Sequence, residues 1–239
     1  PHMAKVSNIT VEYVDMSNPG PLMDISSSNL FSLLDSSFRN INTNSSAGMI
    51  ALASALNKIE NVTFIFIDSE SGSGIFSLTP VLGNYGIQLA KCLFQSLGFK
   101  KPGNVIAIQT LERQGKLPGY SVQLQIESCN ITRFVSGTAI FLSGGINCVD
   151  CKVIDSYIDG KIYFGSANEG VLTLSHDVSG VVDLSKLTIV RPQFVRGPFI
   201  NIVNCPPATV ILRNITYNGG NKEFYLGLLD SGILEMRHS

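Results

Sequence analysis

Tryptophan is absent from this chain, and charged residues make up only 15% of its 239 positions, well under the usual quarter or so. The shortage of charge excludes a helical bundle, whose outer faces need Glu, Lys, Arg and Gln. It excludes intrinsic disorder too, because a disordered chain is poor in aliphatics and rich in charge, whereas this one is 44% hydrophobic. Neither sign of charge dominates. A formal net charge of −1 gives no electrostatic drive toward nucleic acid or an anionic membrane. No run approaches 18 consecutive apolar residues, so no segment reads as a membrane-spanning helix. Histidine occurs only at His2, His176 and His238. These are too scattered to complete a four-ligand zinc site with the Cys148–Cys151 CxxC, so no metal or cofactor is expected.

In place of charge the chain carries 22 Gly and 10 Pro, together with abundant Ser, Thr and Asn. That composition fits an all-β fold of short strands and polar turns. The opening Pro1-His2-Met3 reads as a cloning scar, so residues 4–239 are expected to form a single domain taken from a longer protein.

An internal repeat organises the sequence. Ser7-Asn8-Ile9-Thr10-Val11, Glu60-Asn61-Val62-Thr63-Phe64, Cys129-Asn130-Ile131-Thr132-Arg133 and Arg213-Asn214-Ile215-Thr216-Tyr217 look alike. Looser copies lie near Phe38, Cys92, Cys151 and Leu187. Eight copies between about 8 and 214 recur every 29 residues on average. A second motif alternates with the first, a glycine or small polar turn before an aliphatic strand. Gly48-Met49-Ile50, Gly74-Ile75-Phe76, Gly137-Thr138-Ala139-Ile140, Gly170-Val171-Leu172 and Gly197-Pro198-Phe199-Ile200 are its copies. A strand of four to six residues cannot bury its apolar face alone. Stacking equivalent strands about 4.8 Å apart lets the inward side chains share one core.

The expected fold is therefore a right-handed parallel β-helix of about eight rungs, with one longer loop insertion at about 98–120. The stretch from Gly86 to Phe94 is the one place with helical character, and it fits a rung strand as well. Phe38, Phe64, Phe94 and Phe141 are expected as core stacks.

These two alternating motifs resemble the passenger repeats of chlamydial polymorphic outer-membrane proteins and related pectin-lyase-like surface β-helices. Those families use Gly-Gly-Ala-Ile and Phe-x-x-Asn. The relaxed forms here are Gly137-Thr138-Ala139-Ile140 and Phe38-Arg39-Asn40. The resemblance implies a surface β-helix.

Several residues are candidates for function. Asn8, Asn44, Asn61, Asn130 and Asn214 are Asn-x-Ser/Thr acceptors for glycosylation. The Asn of the repeat also has a structural reading, a ladder of stacked amides, and its period of one per rung favours the ladder. Cys129 and Cys151 share a motif position in consecutive copies, which predicts a stacked pair, either thiols or a disulfide according to compartment. Lys100, Lys101, Arg113, Lys116 and Tyr120 fall in the longest gap between repeats and form a candidate binding loop. Asp150, Asp155, Asp159, Asp177 and Asp183, with Arg191 and Arg196, are the residues a catalytic cleft would use. However, the Asn-Thr-Asp, Asp-Asp, Gly-His-Gly and Arg-Ile-Lys motifs of polygalacturonases are absent.

The expected function is a non-catalytic extracellular or cell-surface domain, an adhesin or display scaffold whose partner is a protein or glycan on a cell surface. No nucleic acid and no membrane insertion are expected. The alternatives are a polysaccharide lyase or glycoside hydrolase on the same scaffold, and a structural segment of a fibre or coat that self-associates end to end.

Overall fold

The computed structural model describes residues 3–17, 19–25, 29–44, 48–69, 74–78, 84–109, 120–159, 163–164, 171–175, 178–190, 193–194, 200–218 and 226–237. Every helix or strand among them is a β-strand, and every pairing is parallel. The chain winds as a solenoid with three faces.

The first face stacks Met3–Ser7, Leu30–Leu34, Leu56–Glu60, Asn84–Ala90, Tyr120–Glu127, Ile146–Ile154 and Ser179–Ser185, then 208–213 and 233–237. The second stacks Thr10–Met16, Ser37–Thr43, Thr63–Ser69, 93–99, 130–135, Tyr157–Asp159, Thr188–Val190 and Thr216–Asn218. The third begins with Met23–Ile25, Ile50–Leu52 and Phe76–Leu78 and continues through 106–109, 140–143 and Leu172–Ser175 to 200–203. Residues 86–90 and 93–94 lie in two of these strands, with the corner at Lys91 and Cys92 between them, and none of them is helical.

The corner between the first and second faces explains the first motif. One residue per turn there has a left-handed backbone: Asn8, Asp35, Asn61, Lys91, Ser128, Asp155, Lys186 and Asn214, with φ between 47° and 57°. Asn and Asp tolerate this region better than other residues with a Cβ. The backbone N–H of Asn8 donates to Leu34 O, that of Asp35 to Glu60 O and that of Asn61 to Ala90 O, at 3.0–3.2 Å. The left-handed residue thus gives its own N–H to the next turn. This corrects the amide ladder. The column mixes Asn, Asp, Lys and Ser, and Asn61 Nδ2 donates 2.8 Å to the Asp35 carboxylate rather than to another amide. Amide stacking occurs instead on the first face, where Gln88 Nε2 donates 3.3 Å to Gln125 Oε1.

The core is a set of vertical columns. Phe38, Phe64 and Phe94 stack ring on ring, with centroids 5.1 and 5.2 Å apart and planes within 8°. Phe76 from the third face meets Phe64 edge-on at 5.4 Å. Phe141 does not join them. It alternates with buried Ile140 and Leu142 and is half-buried on the outward side of its strand. A buried amide interrupts the apolar columns of the first face. Asn57, fully buried between Phe31 and Ile87, donates to Ser54 O at 3.0 Å and Gly86 O at 3.1 Å. It thereby ties the corner before its own strand to the next turn.

The expected loop insertion is shorter than 98–120. The strand Leu93–Gln109 runs through Gly98, Lys100, Lys101 and Asn104, and Tyr120 begins the next first-face strand. Within 98–120, residues 110–119 lie outside the described residues.

Candidate functional site

The second face has a feature that repeats from turn to turn. Its longer strands carry another left-handed residue in mid-strand: Tyr13, Asn40, Phe66, Ser96 and Arg133, with φ of 51–59°. The pairing register skips this residue in all five strands, so Glu12 matches Arg39 and Val14 matches Ile41, with Tyr13 and Asn40 standing out between them. The kink turns five side chains outward in one vertical ridge. Tyr13 is 80% exposed and Phe66 52% exposed. They are two turns apart, about 10 Å at ladder spacing, with Asn40 between them. One flank carries Glu12 and Arg39, an exposed ion pair at 3.9 Å. The other flank carries Asp15, whose carboxylate accepts 3.2 Å from Asn42 Nδ2, and then exposed Asp68.

The kink belongs to the fold, because it recurs turn after turn. The aromatic side chains do not, because Asn40 and Ser96 serve in the same column. A bulky residue at positive φ is a backbone outlier, costing on the order of 1–3 kcal/mol. Sequence reasoning missed Tyr13 and Phe66 by treating these strands as plain alternation. A signal was present: inward apolar residues lie three apart at Val11 and Val14, Phe38 and Ile41, Phe64 and Ile67, and Phe94 and Leu97.

The acidic candidates do not converge among the described residues. Asp150 pairs with Lys152 at 3.2 Å and accepts from Gln125. Asp155 pairs with Lys186 at 3.6 Å on the corner column. Asp183 pairs with Arg213 at 3.3 Å and accepts from Ser185. Each carboxylate thus has its own cation and its own place. The backbone of Asp159 lies on the second face, and Asp177, Arg191 and Arg196 lie outside the described residues. The same holds for Arg113 and Lys116 of the expected binding loop. Lys100, Lys101 and Tyr120 are placed on strands.

The acceptor asparagines are all exposed. Asn8, Asn61 and Asn214 occupy the left-handed corner. Asn130 stands two residues past it, in register with Thr10, Ser37 and Thr63, and Asn44 follows the strand Ser37–Thr43.

The cysteines are regrouped. Cys129 and Cys151 are not stacked. Cys151 points inward from the first face, between Leu124 and Val182, whereas Cys129 follows the corner residue Ser128. The partner of Cys129 is Cys92, which follows the corner residue Lys91 one turn earlier. The neighbouring Cys129 thiol, with burial, pushes the Cys92 thiol up, while the neighbouring Cys92 lowers Cys129. Cys148 is likewise pushed up, by its bond to Cys151 and then by burial. No group of three metal-ligating side chains occurs among the described residues, and no helix there is long and apolar enough to cross a membrane.

No protein-family model, curated protein or solved structure matches this chain. What the geometry establishes is a class, the parallel β-solenoid.

Proposed function

We propose that this protein is a non-catalytic extracellular or cell-surface display scaffold of the right-handed, pectin-lyase-like kind, which binds a glycan or protein surface through the ridge on its second face. The observation that carries this reading is the pair of solvent-exposed aromatics, Tyr13 and Phe66, held on strained backbone. Aromatic rings offer large contact area with little conformational freedom to lose on binding. The solenoid fixes their spacing, and the flanking Glu12, Arg39, Asp15 and Asn42 supply polar groups for orientation. Five exposed Asn-x-Ser/Thr acceptors fit the same compartment.

The test is a glycan-array and cell-binding screen with the wild type and a Tyr13→Asn/Phe66→Asn double variant. Asn is at home in the left-handed region, so the variant should melt no lower than the wild type. It should lose at least tenfold in binding, about 1.4 kcal/mol. Equal binding by the double variant, or a folded wild type that binds nothing, contradicts the proposal.

A further inference from the structure

We propose that Cys92 and Cys129 are a disulfide-forming pair, closed by exchange with a small-molecule disulfide such as oxidised glutathione, and that the bond staples the two turns flanking segment 110–119. Leu93 pairs in register with Asn130, and the N–H of Asn130 donates 2.9 Å to Cys92 O. The two cysteines therefore stand one ladder step apart. That is a Cα separation of about 4.8 Å, within the range a disulfide spans. Both side chains point inward, 2% and 1% exposed. A small apolar cavity of about 20 Å³ adjoins Cys129 on the side of the following turns, between Ile126, Ile131 and Leu187.

The column explains why cysteine is not required there for folding. Equivalent positions hold Ser36 and Ser156. Each hydroxyl donates to the carbonyl two residues back, at 2.6 Å to Leu34 O and 3.1 Å to Ile154 O. Cys92 and Cys129 make the same contact at 3.4 Å, to Ala90 O and Glu127 O. Serine satisfies the corner, yet two adjacent turns carry sulfur.

The chemistry balances as two exchanges. The Cys129 thiolate attacks one sulfur of oxidised glutathione and releases one glutathione thiolate. The Cys92 thiolate then attacks the Cys129 sulfur of the mixed disulfide and releases a second. Two glutathione molecules carry away the two thiol protons, and the two electrons reduce the oxidant. Burial excludes the oxidant from the closed corner, so exchange proceeds through local opening.

The native protein is incubated with oxidised glutathione, with and without sub-denaturing urea, then alkylated and mapped by non-reducing peptide mass spectrometry. The expected product is a Cys92–Cys129 cross-link, lighter by two hydrogens, forming faster in urea. It should raise the melting temperature by about 10 °C for a loop of this length. Cys92→Ser and Cys129→Ser should fold like the reduced wild type, as Ser36 and Ser156 imply, and show no such rise. Both thiols remaining alkylatable in both arms overturns the proposal. So does linkage of either to Cys148, Cys151 or Cys205, a stable mixed disulfide with glutathione, or a melting temperature indifferent to the cross-link.

Discussion

Replacing Phe64 by alanine is expected to lower the unfolding free energy by about 3–5 kcal/mol. The Phe64 ring is sandwiched between Phe38 and Phe94 and capped edge-on by Phe76. Truncation removes its buried area and leaves two parallel rings facing a void that rigid neighbouring turns cannot close. Each aromatic pair adds about 0.5–1.5 kcal/mol beyond area. Loss of three such contacts places this site toward the upper end. Phe64→Leu, which refills most of the volume, should cost less than half as much. Phe141→Ala, on the outward side of its strand, should cost the least of the three. Urea titration followed by circular dichroism measures all of them. Equal losses for Phe64→Ala and Phe141→Ala would mean that the phenylalanine column is not the core.

Gly74→Ala should be more damaging still, abolishing the soluble folded protein or lowering its stability by more than about 4 kcal/mol. Gly74 lies at the corner leading into the third face, where successive turns touch backbone to backbone. A Cβ there would sit 0.9 Å from Asn104 O and 2.1 Å from its carbonyl carbon. No side-chain rotation relieves that clash. The only escape is to push the turns apart, which breaks Ile75 N–H to Asn104 O at 3.1 Å and strains Met49 N–H to Gly74 O at 3.0 Å. Gly20, whose added Cβ meets nothing within 4 Å, is the control, and Gly20→Ala should stay within about 0.5 kcal/mol of wild type. Soluble yield and thermal melting of the two variants give the comparison. A Gly74→Ala protein melting with the wild type would contradict the close approach.

The columns account for which parts of this architecture were legible in the sequence. Phe38, Phe64 and Phe94 recur with aliphatics in fixed phase, so the all-β stacked fold and most of its core could be read directly. The glycine motif was also readable, because close contact between turns at Gly74 leaves no room for a side chain. The register at Asn130 was not. Asn130-Ile131-Thr132 has the same residue types as Asn61-Val62-Thr63 but sits two residues further along. A slip of two preserves the inward–outward alternation, so a pattern of apolar and polar residues cannot detect it. Only the left-handed corner at Ser128 fixes the phase. Cys151 looked like the partner of Cys129 although it stands four residues before its own corner at Asp155, and that reading hid Cys92. Tyr13 and Phe66 escaped for a related reason: their strands look regular until the mid-strand kink is known.

The register of the second face is the central structural claim, and engineered cross-linking tests it most directly. Ser37 and Thr63 are in-register neighbours whose hydroxyl oxygens lie 3.0 Å apart, whereas Ile65 is displaced from Ser37 by one diagonal step. With Cys introduced at both positions, Ser37→Cys/Thr63→Cys should form a disulfide readily on mild oxidation. Ser37→Cys/Ile65→Cys should form it far more slowly, since diagonal neighbours stand about 7–8 Å apart. Preferential cross-linking of the Ser37–Ile65 pair, or equal rates for both, would contradict the stacked register on which the ridge, the phenylalanine column and the Cys92–Cys129 pair all depend.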